Sequence, residues 1–276
     1  MSRQIDKLSV FLPAFNEEAN LEKTVKNVVE NLKKNVSEWE IVIVDDGSKD
    51  KTGIIADNLS KKNKQISAIH HNPNRGYGAA FKSGLYACKY PWISFIDSDG
   101  QFDFREINRF IDTQERTKAD MVIGYYLGRK VSLLRKLNSK AWQAVVFILF
   151  GLNVRDIDCG FKLISKKVID KIEPLQSERG AFISSEFLIK SKSCNFKIVE
   201  IPVHHYPRLK GEATGATSAT ERLGIEQGLV TLLNDQVQTG ELVCVVGPNG
   251  AGKSTLINAI AGLHKASSGS LRFNGQ

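Results

Sequence analysis

Acidic side chains recur in three short clusters, "PAFNEE" (13–18), "DDGS" (45–48) and "DSDGQ" (97–101). In the last, Asp97 and Asp99 set two carboxylates at i and i+2, and Gln101 adds an amide oxygen. Grouped carboxylates repel one another unless a cation joins them, and a hard divalent ion with oxygen ligands is the usual solution. A lone D-x-D arises by chance in many chains; its place directly after the apolar run "WISFI" gives it weight. An ion held there leaves positions for phosphate oxygens, because Mg²⁺ in particular keeps substrate phosphates or waters in its shell. Arg208 and Lys210 in "YPRLKGEATG" (206–215) offer the positive charge that a diphosphate needs, or else form a solvated tail.

A second phosphate chemistry lies much further along. Gly247-x-x-x-x-Gly252-Lys253-Ser254, with Gly250 inside the run and Thr255 after it, is a complete P-loop match between a strand "ELVCVV" and a helix "KSTLINAIAGL". Backbone N–H groups and the helix N-terminus there hold phosphate, Lys253 reaches the terminal phosphates and Ser254 binds Mg²⁺.

The elements that must position the acidic clusters follow from hydrophobic periodicity. Short β-branched runs alternate with amphipathic segments: "LSVFLPA", a helix over 17–34, "EIVIVDD", a helix near 50–62, "QISAIHH", a helix over 78–88, "WISFIDSD", a helix near 104–117 and "ADMVIGY". Such alternation implies crossover connections, hence an α/β fold with a mainly parallel sheet covered on both faces. Ligands of such sheets bind beyond the carboxyl ends of the strands, which is where all three clusters fall. Turn chemistry explains one such tail; three on one edge point to a site. Gly76-x-Gly78 in "NRGYGAAF" begins like a dinucleotide fingerprint, but Phe81 stands at the third glycine and no acidic residue follows at the required distance, so bound NAD is not expected.

Composition sets outer limits. The 276 residues are 42% apolar and 25% charged, enough for one sizeable core and a fragment more. The net charge is +8, and from Ala219 onward four Lys or Arg meet four Asp or Glu, so the excess belongs to residues 1–218. A basic surface favours nucleotide diphosphates, anionic lipid or nucleic acid, although scattered solvated lysine is the commoner cause. No nucleic-acid motif is present, and no nucleic-acid partner is expected. The four cysteines, Cys88, Cys159, Cys194 and Cys244, form no C-x-x-C pair, and the start lacks a secretory signal, so reduced thiols in a cytoplasmic setting are expected. No apolar run reaches the roughly 18 to 20 residues of a membrane span. The nearest, "AVVFILFGL" (144–152), follows Arg135, Lys136 and Lys140, and reads as a buried helix or one lying on a membrane surface.

Six motifs in order, "FLPAFNEEANL", "IVIVDDGSKDKT", "NRGYGAAFKSGL", "FIDSDGQFD", "RDIDCGFKLISKKV" and "IVEIPVHHYP", resemble the inverting family 2 glycosyltransferases, in particular the dolichyl- and polyprenyl-phosphate mannosyltransferase-like branch. The resemblance runs over about 8–217 and implies a catalytic domain of GT-A fold over 1–217. It implies that Pro13, Phe15, Glu17, Val44, Asp45 and Asp46, with Asp97 and Ser98, bind the nucleotide-sugar donor. Asp97, Asp99 and Gln101 would hold Mg²⁺ or Mn²⁺, and Arg208 and Lys210 would neutralise the diphosphate. Asp156 matches the carboxylate that faces the acceptor, and Asp158 is its close competitor. Relatives often carry Arg after the strand matching "MVIGYY", where this chain has Tyr125 and Tyr126. The expected partners are a GDP- or UDP-sugar, a polyprenyl phosphate or other envelope acceptor, and the inner face of the cell membrane.

If the acceptor is a lipid monophosphate, its second pKa near about 6 leaves it mostly anionic at neutrality, so Asp156 need only orient it. A hydroxyl acceptor would instead require Asp156 as general base.

The stretch from Leu229 to Gln276 resembles the opening of an ABC-transporter ATPase. No Phe, Tyr or Trp lies between Arg208 and Phe273 to stack on adenine, and the glutamine loop, signature stretch, Walker-B acid and switch histidine do not follow. Phosphoryl transfer needs those parts. The expectation is therefore an incomplete P-loop NTPase fragment over 229–276, a truncated graft joined through 218–228, which binds ATP weakly at best and does not hydrolyse it. The readings that compete with a transferase are an ATP-binding module of a transport system and a non-catalytic fusion product.

Overall fold

The apolar run at the start forms β1 (Lys7–Ala14), buried along nearly its whole length. The structure, a computed structural model, describes residues 5–127, 143, 146–147, 150–178 and 182–208. Lys210, the junction 218–228 and the phosphate-loop residues Gly247 to Thr255 lie outside the described residues. After β1 come α1 (Leu21–Asn35), β2 (Glu38–Asp45), α2 (Thr52–Lys62), β3 (Ile66–His70), α3 (Tyr77–Ala87) and β4 (Trp92–Ile96). A single 3₁₀ turn (Phe104–Glu106) leads into α4 (Ile107–Thr117), followed by β5 (Met121–Tyr126), β6 (Phe161–Ser165), α5 (Lys166–Lys171), α6 (Phe182–Ser193) and β7 (Ile198–Val203).

The strands make one seven-stranded sheet in the order β3-β2-β1-β4-β6-β5-β7. Every pairing is parallel except those of β6, which runs against both β4 and β5. This is the α/β architecture expected, with one reversed strand. Ala14 pairs with Asp45 and Asp45 with His70, so the first three strands end level with one another. The carboxyl ends of β1, β2, β3, β4, β5 and β7 and the amino end of β6 therefore share one rim.

Both faces of the sheet are covered, which is why its strands read as unbroken apolar runs. On one face Phe11 of β1 and Phe95 of β4 stack at 5.1 Å, and Phe81 of α3 meets them edge-on at 5.2 and 5.0 Å. Aromatic pairs of this kind add about 0.5–1.5 kcal/mol each beyond area burial. On the other face Val10, Leu12, Ile41 and Ile43 pack in a cluster with Val25, Val28 and Leu32 of α1. Those α1 positions, with Leu21, follow helical spacing, while Glu22 in the first turn and Lys33 and Lys34 in the last oppose the helix dipole. A Cβ on Gly84 would come 2.5 Å from Phe11 Cδ2, so the missing side chain lets α3 lie against β1.

Candidate functional site

Three carboxylates and one guanidinium meet on the rim. Glu17, 5% exposed, follows β1, and its Oε1 accepts from Arg208 Nη2 at 2.8 Å while Oε2 accepts from Asn20 Nδ2 at 2.8 Å. Arg208 Nη2 also lies 3.5 Å from Asp99 Oδ2. Burial holds the Glu17 carboxyl above the usual range, against the pull of Asn20 and Arg208. Asp97, at the end of β4, is pushed up to about 8 by burial first and then by the negative charge of Asp99, against the opposing pull of Lys162 and a hydrogen bond from Tyr77. The Tyr77 hydroxyl donates to Asp97 Oδ1 at 3.3 Å. Gly160, just before β6, presses its backbone against the Asp97 carboxylate, where any Cβ would collide.

Gln101 locks the segment that carries Arg208. Its side-chain Nε2 donates to the Tyr206 carbonyl at 2.9 Å and Tyr206 N–H donates to the Gln101 carbonyl at 2.8 Å. Gln101 N–H in turn donates to Asp99 Oδ1 at 3.0 Å. Ser98 ties two strand ends together, since its hydroxyl donates to the Pro13 carbonyl at 2.7 Å and its own carbonyl accepts from Thr24.

The paired aspartates after β2 point to different neighbours. Asp45 accepts from Ser48 N–H at 3.0 Å and faces His70 Nδ1 at 3.0 Å. Asp46 accepts from Asn74 Nδ2 at 2.7 Å, Arg75 N–H at 3.0 Å and Gly76 N–H at 2.8 Å, and faces His71 Nδ1 at 2.6 Å. Those bonds fill both Asp46 oxygens and fix the loop that opens α3. Val44 is buried in β2, and Phe15 is half-buried after β1 beside the buried Pro13.

Asp156 is half-buried and accepts from Asp158 N–H at 3.0 Å; Asp158 is exposed. The preceding Arg155 lies over the Tyr125 ring at 4.7 Å, and Tyr126 packs against His205 at 4.6 Å and Phe102 at 6.0 Å. Tyr125 thus carries an arginine from a neighbouring loop, while Tyr126 does not.

Sequence reasoning missed His70, His71, Tyr77 and Lys162. Lys162 in β6 is fully buried, with its ammonium bonded to the Cys159 carbonyl and 5.5 Å from the centre of the Phe95 ring. A signal for the histidines was present: "HH" closes one strand as "DD" closes its neighbour. Among the described residues no three His, Cys, Asp or Glu are arranged to hold a metal by themselves. A cation at Asp97 and Asp99 therefore needs amide, phosphate or water oxygens to complete its shell, which suits Mg²⁺ or Mn²⁺.

A sheet of this order with acidic strand ends on one rim defines an α/β protein whose polar side chains gather where such sheets bind their ligands. The model of glycosyl transferase family 2 matches residues 9–173, more than half of the chain, and the chain belongs to that family. The ABC transporter model matches residues 230–276. Glycosyltransferase AglD of Haloferax volcanii is 26% identical over 208 residues, 73% of this chain and 33% of that protein. Dolichyl-phosphate beta-glucosyltransferase of Dictyostelium discoideum is 31% identical over 215 residues, 71% of this chain and 65% of that protein. The chain thus spans a third of the first relative and just under two thirds of the second. Glucosyl-3-phosphoglycerate synthase from Mycobacterium tuberculosis, solved with uridine diphosphate, superposes with a TM-score of 0.63 at 18% identity, covering 85% of this chain and 82% of that one. That likeness shows the fold, the GT-A arrangement expected from the motifs. The second relative is named for glucose transfer, where the motifs pointed to the mannosyltransferase-like branch.

Proposed function

We propose that the chain transfers a sugar, glucose foremost, from a nucleoside diphosphate donor to a polyprenyl phosphate, with inversion and with a divalent cation at Asp97, Asp99 and Gln101. The observation that carries this reading is the meeting of Glu17, Asp97, Asp99 and Arg208 on one rim. The acceptor and sugar are supported by the name of the Dictyostelium discoideum relative. The cation is supported by the Mycobacterium tuberculosis synthase solved with Mn²⁺ and UDP-glucose.

Pro13, Phe15, Glu17, Val44, Asp45 and Asp46 form the nucleoside side, with Ser98 holding β1 and β4 together beneath it. The bound cation supplies positive charge to the pyrophosphate oxygens. Arg208, a permanent cation, leaves its carboxylate partners to meet the charge that grows on the departing diphosphate, joined by Lys210. Asp156 orients an acceptor phosphate that is already anionic, with Asp158 fixing it through its N–H. The basic excess of residues 1–218 and the exposed Phe147 (53%) beside buried Val146 support a peripheral seat on a cytoplasmic membrane face. No helix among the described residues is long and apolar enough to cross a membrane.

A thermal-shift panel of nucleotide sugars with Mn²⁺ tests the donor half, because ligand excess over Kd sets the stabilisation. Mn²⁺-dependent stabilisation by a UDP- or GDP-sugar is expected, and its absence across the panel defeats the reading. Asp156→Asn should lose little on lipid phosphate and much on hydroxyl acceptors; the reverse pattern removes the role given to Asp156.

The match of residues 230–276 to the ABC transporter model favours a second, separate reading, in which a domain over 229–276, linked through 218–228, holds ATP phosphates at Gly247, Gly250, Gly252, Lys253, Ser254 and Thr255. ATP binding that Lys253→Ala abolishes would support it.

A further inference from the structure

His70 ends β3 in register with Asp45, and His71, the next residue, pairs with Asp46 through their side chains. His70 Nδ1 lies 3.0 Å from Asp45 Oδ2 and Nε2 lies 3.0 Å from Asp57 Oδ1 of α2. A carboxylate only accepts hydrogen bonds, so carboxylates at both ring nitrogens favour the doubly protonated ring, an imidazolium. His71 differs: its Nε2 faces the Ser83 hydroxyl at 2.9 Å, a group that donates or accepts and asks for no second proton. The charged groups facing His70 are Asp45 from β2 and Asp57 from α2. The Asp45 side chain is 8% exposed, that of Asp57 52% and that of His70 39%. Gly53 of α2 lies close by, since a Cβ there would sit 2.7 Å from Asp45 Oδ2 and 3.6 Å from the His70 ring.

We infer that His70 is a positioning residue for Asp45, and that its second proton sets how tightly the nucleoside end of the donor is held. This rests on the reading above in which Asp45 faces the nucleoside. The hydrogen bond to Asp45, and then that to Asp57, hold the His70 ring protonated above the usual histidine range, against burial. When that proton leaves, the tautomer protonated at Nδ1 keeps its hydrogen bond to the Asp45 carboxylate but loses the attraction between opposite charges. The tether to Asp57 is lost and the ring can turn. Nucleotide affinity therefore falls as pH rises through the folded pKa of His70, and by reciprocity bound nucleotide raises that pKa by the logarithm of the same ratio.

The test follows histidine ring protons by NMR across pH in the full chain, alone and with UDP or GDP plus Mn²⁺ as probes. A midpoint above the ordinary histidine value of about 6.5 is expected. Nucleotide should raise it further by about half to one unit, matched by a fall in affinity of about three- to tenfold across the titration. Asp57→Asn, at an exposed site, should move both the midpoint and the pH limb of nucleotide binding downward together. His70→Gln should raise the donor KM more than it lowers kcat. A merely structural histidine would change melting temperature without linking its midpoint to nucleotide. Nucleotide that binds but leaves the His70 midpoint unmoved, or an Asp57→Asn variant with an unchanged pH limb, overturns the inference. If neither nucleotide binds at any pH, the donor reading fails instead, and an apo midpoint at or below the ordinary value overturns the imidazolium on its own.

Discussion

Burial and Asp99 hold the Asp97 carboxyl at about 8, so without a cation this side chain stays largely protonated near neutrality. Its folded pKa exceeds the unfolded value of about 3.9, so between these limits the folded state binds the extra proton. The stability that proton contributes is present at low pH and is lost as pH rises through the window. The melting temperature of metal-free protein should therefore fall between about pH 5 and about pH 8, and Mn²⁺ or Asp97→Asn should flatten the slope. A level profile without metal would show that the carboxylates do not repel as described. Arg208 has a different signature. Arg208→Ala leaves buried Glu17 without its guanidinium and should raise the donor KM by about ten- to a hundredfold, while Arg208→Lys, a point charge, should restore only part of it. Equal kinetics for Arg, Ala and Lys at this position would remove it from the diphosphate site.

At the scale of elements, glycines decide how closely pieces approach. Gly84→Ala would drive a methyl into Phe11, and overpacking of this kind costs about 1–3 kcal/mol, readable as a lower urea midpoint; an unchanged midpoint would mean that α3 can retreat from β1. Five strands and four helices were legible in the sequence because runs buried on both faces alternate with amphipathic stretches. The level ends of β1 and β2 were legible too, through "PAFNEE" and "DDGS". The reversed β6 was not, since "FKLIS" is short and carries a lysine that polarity alone would place in water. Lys162 is buried instead because a carbonyl and an aromatic face receive its ammonium. The pairing of His70 with Asp45 was also hidden, because residues 25 apart in sequence meet only once β2 and β3 lie in register.

For the whole molecule, charge is the long-range property. The excess of +8 lies in residues 1–218, so sedimentation with anionic vesicles should weaken steeply as salt rises and the screening length falls from about 10 Å at 0.1 M to about 3 Å at 1 M. Binding that ignores salt, or that is equal on neutral vesicles, would argue against an electrostatic seat on the membrane. The reversed strand has an architectural consequence as well. Because β6 runs against β5, the chain leaves Tyr126 and re-enters at Phe161 on the same side of the sheet. A stretch hung between two adjoining strands has both its ends fixed on one rim, so its length can vary while β5 and β6 keep their register.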